Sequence, residues 1–337
     1  MPNSATTIAH PNLAFIKYWG KTDSELNIPT NNSISMNLSG VKTKTTVELD
    51  DSLQVDEYYV NGTEVNRETG FGGRIKTHID RIRALANVSY PVRVLTENSV
   101  PASVGFASSA SGFAALSLAC TKVFGIDLDE KDLSILARQG SGSACRSIPS
   151  GFVEWNAGST NEDSYSYQLA PPTHWDLVDV AVVVSSEEKE VSSSLGHQLA
   201  AQSPFWHARL ETLPKRIIQV RDALLKRDFQ TFGQEIELEA ISFHAVALTS
   251  PYKLDTTWHS GIYYWDSETL ELVKSVQLWR EHGLKVYFSL DAGPTVHMIC
   301  ESHSLDNVME AIVGQKGNRN WSIITNFPAQ GAHLIEK

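Results

Sequence analysis

The stretch Pro101 to Leu118, PASVGFASSASGFAALSL, constrains the fold more than any other part of the chain. Small side chains around Gly105 precede an apolar run, Phe113 to Ala119, with the composition of a buried helix. Small residues let an anion approach the backbone, and a helix that follows them directs free N–H groups and its positive dipole end towards that anion. The stretch therefore predicts an anion-binding turn that leads into a helix. A Ser-rich turn that only caps a buried helix fits the same residues.

Several well-known kinds of site are excluded because the sequence lacks their motifs. The stretch does not end in Gly-Lys-Ser/Thr, so it is not a P-loop, and it lacks the GxGxxG spacing of dinucleotide-binding folds. The 11 histidines show neither HExxH nor HxxxH spacing, and no serine lies in a GxSxG turn. The sequence therefore predicts no protein metal site and no serine hydrolase.

Composition and charge restrict the class of protein. The 337 residues are 42% hydrophobic and 20% charged, which predicts a folded chain of one large or two medium domains. A net charge of −11 argues against nucleic acid or an anionic membrane as the main partner. The N-terminus lacks a signal-peptide pattern, no apolar run is long enough to span a membrane, and the 3 cysteines lie far apart. These features predict a cytoplasmic protein.

Hydrophobic periodicity predicts a mixture of strands and helices without strict βαβ alternation, which is typical of an α+β protein in two lobes. Asn61-Gly62 predicts a hairpin turn, Asp127 and Asp129 are predicted helix caps, and a domain boundary is expected near Ala170-Pro171-Pro172. The predicted helices cover residues 74–85, 130–139, 205–225, 229–247, 267–281 and 302–313. The main predicted strands cover residues 33–38, 43–49, 90–97, 151–155, 177–184, 286–290 and 295–300.

Four turn segments carry groups that suit phosphoryl transfer: residues 17–21, 105–112, 140–146 and 291–293. They supply lysines, small residues with hydroxyls, an arginine able to bind a carboxylate or phosphate with two N–H groups, and a carboxylate. Each also has a structural explanation: a solvated strand end, a helix cap, a surface ion pair and a turn aspartate. Together they match a reaction that needs backbone amides, cations and a carboxylate beside the acceptor hydroxyl.

Longer motifs in the same order resemble the mevalonate diphosphate decarboxylase family of the GHMP kinase superfamily over nearly the whole chain. Pro101 to Ala110 matches the superfamily form Pro-x-x-x-Gly-Leu-x-Ser-Ser-Ala, with Phe106 in place of Leu. The marks specific to the decarboxylases are NLAFIKYWGK at 12–21, GSGSACRS at 140–147, GFVEW at 151–155, FHA at 243–245 and DAGP at 291–294.

The resemblance implies a two-lobed GHMP kinase-like fold, with a ribosomal protein S5-like lobe at 1–172 and a ferredoxin-like α/β lobe at 173–337. It implies ATP and Mg²⁺ as cofactors, a phosphorylated mevalonate as substrate and a homodimer. Asp291 would orient or deprotonate the C3 hydroxyl, paired with Lys17, and Arg146 would hold the carboxylate that leaves as CO₂. The implied substrate-binding residues are Tyr18, Lys21, Arg74, Ser141, Gly142, Ser143, Ser193 and Ser194. The implied nucleotide-binding residues are Pro101, Ser103, Gly105, Ser108, Ser109, Ala110, Ser111 and Lys189.

Three positions depart from the family pattern on the substrate side. Ser194 stands where diphosphate-specific relatives have Arg or Thr, Thr295 where Asn is usual, and Asn37 where Thr is common. Loss of an arginine would remove a partner of the second phosphate. We therefore expect mevalonate 5-phosphate as the substrate and isopentenyl phosphate as the product. The alternatives are a decarboxylase of mevalonate 5-diphosphate, a kinase that stops at 3-phosphorylation, and a non-catalytic member of the superfamily. Retention of Asp291 and of the serine-rich turn argues against the last.

Overall fold

The computed structural model describes residues 2–99, 108–185, 187 and 189–335. The helices within these ranges are α1 (Gly70–Ala86), α2 (Ser108–Val123), α3 (Glu130–Gly140), α4 (Ser193–Leu199), α5 (Trp206–Lys226), α6 (Phe229–Leu248), α7 (Ser267–Glu281) and α8 (Leu305–Lys316). No helix in these ranges is both long enough and apolar enough to cross a lipid bilayer.

Within the described ranges, the strands form three larger sheets and two short hairpins. Those of the first half of the chain are β1 (Ser4–Ala9), β2 (Asn12–Ile16), β3 (Lys21–Asp23), β4 (Ile28–Pro29), β5 (Ser33–Asn37), β6 (Thr43–Leu49), β7 (Glu57–Val60), β8 (Thr63–Glu64), β9 (Val92–Asn98), β10 (Phe152–Asn156) and β11 (Tyr165–Ala170). Those of the second half are β12 (Leu177–Val183), β13 (Tyr252–Leu254), β14 (Thr257–His259), β15 (Tyr287–Leu290), β16 (Val296–Glu301), β17 (Ser322–Asn326) and β18 (His333–Leu334).

Local signals account for most element ends. The Asp129 side chain accepts a hydrogen bond from the backbone N–H of Asp132 and so caps α3. Asn61 and Gly62 have positive φ angles of 50° and 78°, as a tight hairpin turn between β7 and β8 requires. The prediction for Asp127 was wrong: its carboxylate pairs with Lys122 and caps nothing.

Several predicted segments differ from the structure. Helix α1 begins at Gly70 rather than at residue 74, and α2 begins at Ser108, so residues 108–112 of the segment predicted as a turn at 105–112 are helical. The last helix begins at Leu305, after a 3₁₀ turn at Ser302–Ser304, and continues to Lys316. The segment predicted as a turn at 140–146 is the end of α3 followed by a buried 3₁₀ helix, Gly142–Ser147. Small residues permit this second helix to pack closely against its neighbours, which polarity alone does not indicate.

The first sheet has the order β18-β1-β6-β9-β7-β8 and packs against α2, while α1 and α3 contact α2 and contribute to the same apolar core. Its pairs are antiparallel except β7 with β9. Strand β18 joins this sheet next to β1, so the end of the chain returns to the first half. The second sheet, β11-β10-β5-β2, carries the segment that leads into Lys17.

The third sheet, β15-β16-β12-β17, has β12 in its interior. Val178 and Val182 face a core formed with α7 and α8, whereas Leu177 and Ala181 face a core formed with α5, α6 and β2. Burial on both faces explains why β12 is continuously apolar in sequence. The core formed with α5, α6 and β2 joins the third sheet to β2, and this contact determines the geometry of the site.

Candidate active site

Lys17 and Asp291 form a salt bridge between the two halves of the chain. Lys17 follows β2 and Asp291 follows β15, and Lys17 Nζ lies 2.7 Å from Asp291 Oδ1. The same ammonium donates to Ser289 Oγ at 2.8 Å and to the carbonyl oxygen of Ala14 at 2.5 Å. The Lys17 side chain is 3% exposed but that of Asp291 is 39% exposed, so a substrate can reach the carboxylate. The predicted pairing is confirmed.

The surroundings of Asp291 keep its carboxyl ionised. Burial by itself raises the pKa of this carboxyl, but the charges of Lys17, His297 and Arg146 outweigh burial and lower the pKa below its ordinary value. His297 is in turn held by Asp179, whose two carboxylate oxygens lie 3.0 and 3.1 Å from its Nδ1. An ionised Asp291 can accept a proton or orient a hydroxyl group.

A buried ion-pair network on α5 and α6 fixes the backbone of Lys17. Glu239 is fully buried, and its Oε1 accepts a hydrogen bond from the backbone N–H of Lys17 at 3.2 Å. Arg209 donates to the same carboxylate oxygen at 2.5 Å and to the carbonyl oxygen of Lys17 at 3.2 Å. Arg216 donates to Glu239 Oε2 at 3.0 Å. Sequence analysis missed Glu239, because Glu235 and Glu237 precede it on the same helix and nothing in their spacing separates the three.

Arg146 carries a buried positive charge with neutral partners. It lies in the 3₁₀ helix and is 3% exposed. Its Nε donates to Asn12 Oδ1 at 3.1 Å, and its Nη1 donates to Ser33 Oγ at 2.7 Å. No carboxylate of the described residues forms a salt bridge with it, so it is not the surface ion pair that the sequence allowed. A guanidinium held in this way can bind a substrate carboxylate.

Arg146 and Asp291 belong to one site. Burial lowers the pKa of Arg146, and the charges of Cys145 and Asp291 act in the opposite direction. The guanidinium stays protonated because its pKa is far above neutral. Asp291 thus pairs with Lys17 and is close enough to Arg146 to affect its pKa, and the catalytic roles of the three residues stay predictions.

Tyr18 lies against the turn that contains Arg146. A side chain on Gly142 would come within 2.6 Å of the Tyr18 hydroxyl, so this close approach requires glycine. The Tyr18 hydroxyl is buried and has no hydrogen-bond partner among the described residues, and burial raises its pKa. Ser141 is buried beside it, and the carbonyl oxygen of Ser143 accepts from Asn12. A buried hydroxyl without a partner is a group that a ligand can bind.

Two cations stand at the same end of the site. Lys21 donates to Asn27 Oδ1 at 2.6 Å, and Arg74 donates to the carbonyl oxygen of Gly140 at 3.3 Å while its guanidinium lies over the ring of Phe113. Burial and then the charge of Arg74 lower the pKa of Lys21. Neither cation has a carboxylate partner among the described residues, so together they can bind a dianion.

The first turn of α4 carries two of the predicted substrate-binding residues. Ser193 and Ser194 are exposed, and the Ser192 side chain caps the helix by accepting from the N–H of Leu195. Further along α4, His197 packs on Tyr18 with ring centroids 4.1 Å apart. Sequence analysis missed His197, because its spacing matches no motif.

The predicted nucleotide cradle is only partly described. Pro101, Ser103 and Gly105 lie outside the described residues, as does the side chain of Ser108, where α2 begins. The remaining residues are Ser109, which is half-buried, and Ala110 and Ser111, which are buried. The Ser111 hydroxyl lies 2.7 Å from that of Thr43 on β6, so it has a partner within the protein.

Lys189, which was also predicted to bind the nucleotide, lies near Asp291. A side chain on Gly293 would come within 3.5 Å of Lys189 Nζ, so the ammonium lies against the turn that follows Asp291. Burial lowers the pKa of Lys189, and the charge of Asp291 opposes this change. Within the described ranges, no three His, Cys, Asp or Glu side chains are grouped so that they could hold a metal ion.

His244 is a buried histidine near Asp291, and its ring, like the Tyr18 hydroxyl, lacks a hydrogen-bond partner among the described residues. It is 1% exposed, and neither ring nitrogen has a hydrogen-bond partner among the described residues. Burial and then the charge of Lys17 lower its pKa to about 3, so the ring is neutral. Sequence analysis quoted it in the FHA motif but gave it no role.

Two family models match the chain. The diphosphomevalonate decarboxylase-like N-terminal domain matches residues 9–166, and the mevalonate 5-diphosphate decarboxylase C-terminal domain matches residues 180–327. The chain belongs to the mevalonate diphosphate decarboxylase family. As a member it is an ATP-dependent carboxy-lyase, and it has the two-domain α+β fold of that family.

Individual relatives are similar over almost their whole length. A diphosphomevalonate decarboxylase of Candida albicans is 33% identical over 94% of this chain and 89% of its own. A phosphomevalonate decarboxylase of Haloferax volcanii is 34% identical over 91% of each chain. The crystal structure of the Staphylococcus aureus mevalonate diphosphate decarboxylase superposes with a TM-score of 0.91 at 35% identity and covers 100% of this chain and 99% of its own. A structure described as MDDEF in complex with MVAPP, AMPPCP and magnesium gives 0.89 at 33% identity, with 99% of each chain covered.

Proposed function

We propose that this enzyme converts mevalonate 5-phosphate and ATP into isopentenyl phosphate, CO₂, ADP and phosphate. The observation that carries the proposal is the Lys17–Asp291 salt bridge with Arg146 beside it, because this arrangement suits a hydroxyl and a carboxylate on one small molecule. The cofactors are ATP and Mg²⁺, as the ligands of the magnesium complex among the relatives suggest for that protein.

The nucleotide end fits what the residues offer. Helix α2 begins at Ser108, so Ser108, Ser109 and Ala110 lie in its first turn, and Lys189 lies beside the Asp291 turn. ATP supplies the phosphoryl group for the C3 oxygen. We assign Mg²⁺ mainly to phosphate oxygens and water, the ligands that this ion usually keeps in nucleotide sites.

The substrate side supplies the chemistry of elimination. Asp291 orients or deprotonates the tertiary C3 hydroxyl, and Lys17 keeps the carboxylate ionised and in position. Phosphorylation turns this hydroxyl into a good leaving group, and loss of CO₂ supplies the electrons for the new double bond as phosphate departs. Arg146 holds the carboxylate during this step, and Asp291 stabilises positive charge that develops at C3.

Charge balance favours the monophosphate. Arg146 offsets the substrate carboxylate, and Lys17 offsets Asp291, which leaves Lys21 and Arg74 for the C5 end. A phosphate monoester carries about −1.5 to −2 at pH 7, which these two cations match. A diphosphate carries more charge, and Ser194 adds none. Residues 100–107 contain no Lys or Arg that could change this balance.

The alternative substrate is mevalonate 5-diphosphate, which is favoured by the names of most relatives. The second alternative is 3-phosphorylation without decarboxylation. One assay separates the three: purified enzyme is incubated with ATP, Mg²⁺ and either substrate while ADP and CO₂ are followed. We expect both products with the monophosphate and a kcat/KM higher than with the diphosphate. A higher kcat/KM for the diphosphate would reverse the assignment, and ADP without CO₂ would identify a kinase.

The finer architecture belongs to this proposal. We infer a GHMP kinase-like pair of lobes, with a ribosomal protein S5-like lobe at 1–172 and a ferredoxin-like lobe at 173–337, in a cytoplasmic homodimer. The C-terminal strand that joins the first sheet then acts as a tie between the lobes. Sedimentation of the purified enzyme tests the dimer, and a single monomeric species would contradict it.

A further inference from the structure

His197 is a half-buried histidine whose ring is held on three sides. Its centroid lies 4.1 Å from that of Tyr18 and 4.6 Å from that of Trp19, with interplanar angles of 42° and 37°. The backbone N–H of Gly20 donates to its Nδ1 at 3.0 Å. Because a backbone N–H can only donate, Nδ1 carries no proton, and the neutral ring must carry its proton on Nε2.

The surroundings keep this ring neutral. Burial lowers the pKa of His197 well below its ordinary value, and the charges of Lys21, Arg146 and Arg209 act in the same direction. Among the described residues no acceptor lies within hydrogen-bond distance of Nε2. This atom is also not fully enclosed, so a ligand can reach it. The ring therefore presents one fixed N–H donor, at a place where cations surround it.

We propose that His197 binds the C5 phosphate of the substrate through its Nε2–H and favours a single phosphate group there. The inference rests on the proposed function, since Lys21 and Tyr18 already mark this end as the phosphate end. A neutral donor adds a hydrogen bond without adding charge, so it strengthens binding of a dianion that Lys21 and Arg74 already match. It does little for the additional charge of a diphosphate. Contacts with Tyr18 and Trp19 and the hydrogen bond from Gly20 fix the ring beforehand, so little side-chain entropy is lost on binding.

Two substitutions separate the donor from the packing. In His197→Asn the side-chain oxygen can still accept from Gly20, but nothing donates at the Nε2 position. In His197→Gln the amide nitrogen reaches the Nε2 position. We expect His197→Asn to lower kcat/KM for mevalonate 5-phosphate by about 10- to 150-fold, the range for a hydrogen bond to a charged group, and His197→Gln to recover most of it. The KM for ATP stays unchanged, and the exposed His207→Asn is the matched control.

Unphosphorylated mevalonate distinguishes binding from structure. If the donor acts on phosphate, His197→Asn lowers turnover of mevalonate 5-phosphate by a larger factor than any turnover of mevalonate that the wild type shows. Equal losses with mevalonate and mevalonate 5-phosphate, or equal losses in the Asn and Gln variants, would overturn the proposal.

Nitrogen-15 spectra of the wild-type histidines give a readout without catalysis. We expect the His197 signals of the Nε2–H tautomer in the free enzyme and a shift of Nε2 on addition of mevalonate 5-phosphate or inorganic phosphate. An Nδ1–H tautomer, or no shift with either ligand, would refute the role of His197. If the wild type turned over neither phosphorylated mevalonate, the proposed function would fail, while a shift with inorganic phosphate would still support a phosphate donor at His197.

Discussion

Removal of the negative charge on Glu239 is the most informative perturbation of the site. The carboxylate is fully buried and accepts hydrogen bonds from Arg209, Arg216 and the backbone of Lys17. Glu239→Gln leaves Arg209 without a counterion among the described residues, and Arg216 keeps only its longer pair with Glu235 at 3.4 Å. Breaking a buried ion pair on one side costs about 3–5 kcal/mol, because the charge that remains is uncompensated.

The expected shift in melting temperature follows from chain length. Globular proteins unfold with an entropy of about 2.1 cal/mol/K per residue, so the 337 residues give about 0.7 kcal/mol/K for a single cooperative transition. A cost of 3–5 kcal/mol then corresponds to a loss of about 4–7 °C in Tm. Since the peptide of Lys17 also loses the carboxylate that fixes it, kcat should fall while the KM for ATP changes little.

Calorimetry and steady-state kinetics on matched variants provide the assay. Glu211→Gln, at an exposed position of α5, is the control and should leave Tm and kcat unchanged. Arg216→Met should cost less stability in the Glu239→Gln background than in the wild type, because one of the two ion pairs of Arg216 is then already lost and only that with Glu235 remains. A Tm and kcat of Glu239→Gln indistinguishable from the wild type would refute the idea that this network positions Lys17.

Three further outcomes are expected at the reacting centre. Asp291→Asn should keep nucleotide binding but lose about 10²–10⁴-fold in turnover, the range for removal of a general base. The exposed Asp306→Asn is the control and should behave as wild type. Near-normal turnover of Asp291→Asn would remove Asp291 from the mechanism. Arg146→Ala should lose at least about 10²-fold in kcat/KM because the carboxylate is no longer oriented, and unchanged kinetics would assign Arg146 to structure alone. Burial raises the pKa of Asp291, but Lys17 and the other charged neighbours outweigh burial and lower this pKa in the folded protein. The ionised carboxylate therefore stabilises the fold fully above the unfolded pKa of about 3.9, and this stabilisation is lost as the pH falls through the lower folded pKa. Acid unfolding curves of the wild type and Asp291→Asn should therefore converge at low pH, and parallel curves down to pH 2 would contradict this.

Local sequence signals predicted the elements that depend on near neighbours. Helix ends with a side-chain cap, such as Asp129, and the Asn61-Gly62 hairpin follow from hydrogen bonds within a few residues. The pattern failed at 140–147, where small residues serve a tightly packed 3₁₀ helix rather than an open turn. Turn polarity does not report packing density, which neighbouring elements decide.

The candidate site was predictable only in part. Motif resemblance identified Lys17, Asp291 and Arg146 before their geometry was known, because each lies in a long matched segment. Neither Glu239 nor His197 has a spacing that separates it from an ordinary helical residue. Their importance arises from what packs on them: two arginines and the Lys17 backbone in one case, and two aromatic rings and a backbone N–H in the other.

The sequence by itself determined the family, the α+β composition, the buried character of β12 and the chemical types of the reacting groups. Only the tertiary structure decided how these groups meet. Lys17 and Asp291 are separated by 274 residues, and Glu239 reaches the backbone of Lys17 across 222. Periodicity and capping act over one or two turns of chain, whereas these contacts exist because an apolar core joins β2 to α5, α6 and the third sheet. Burial in that core excludes water, and the loss of water gives the enclosed charges their strong effect on one another.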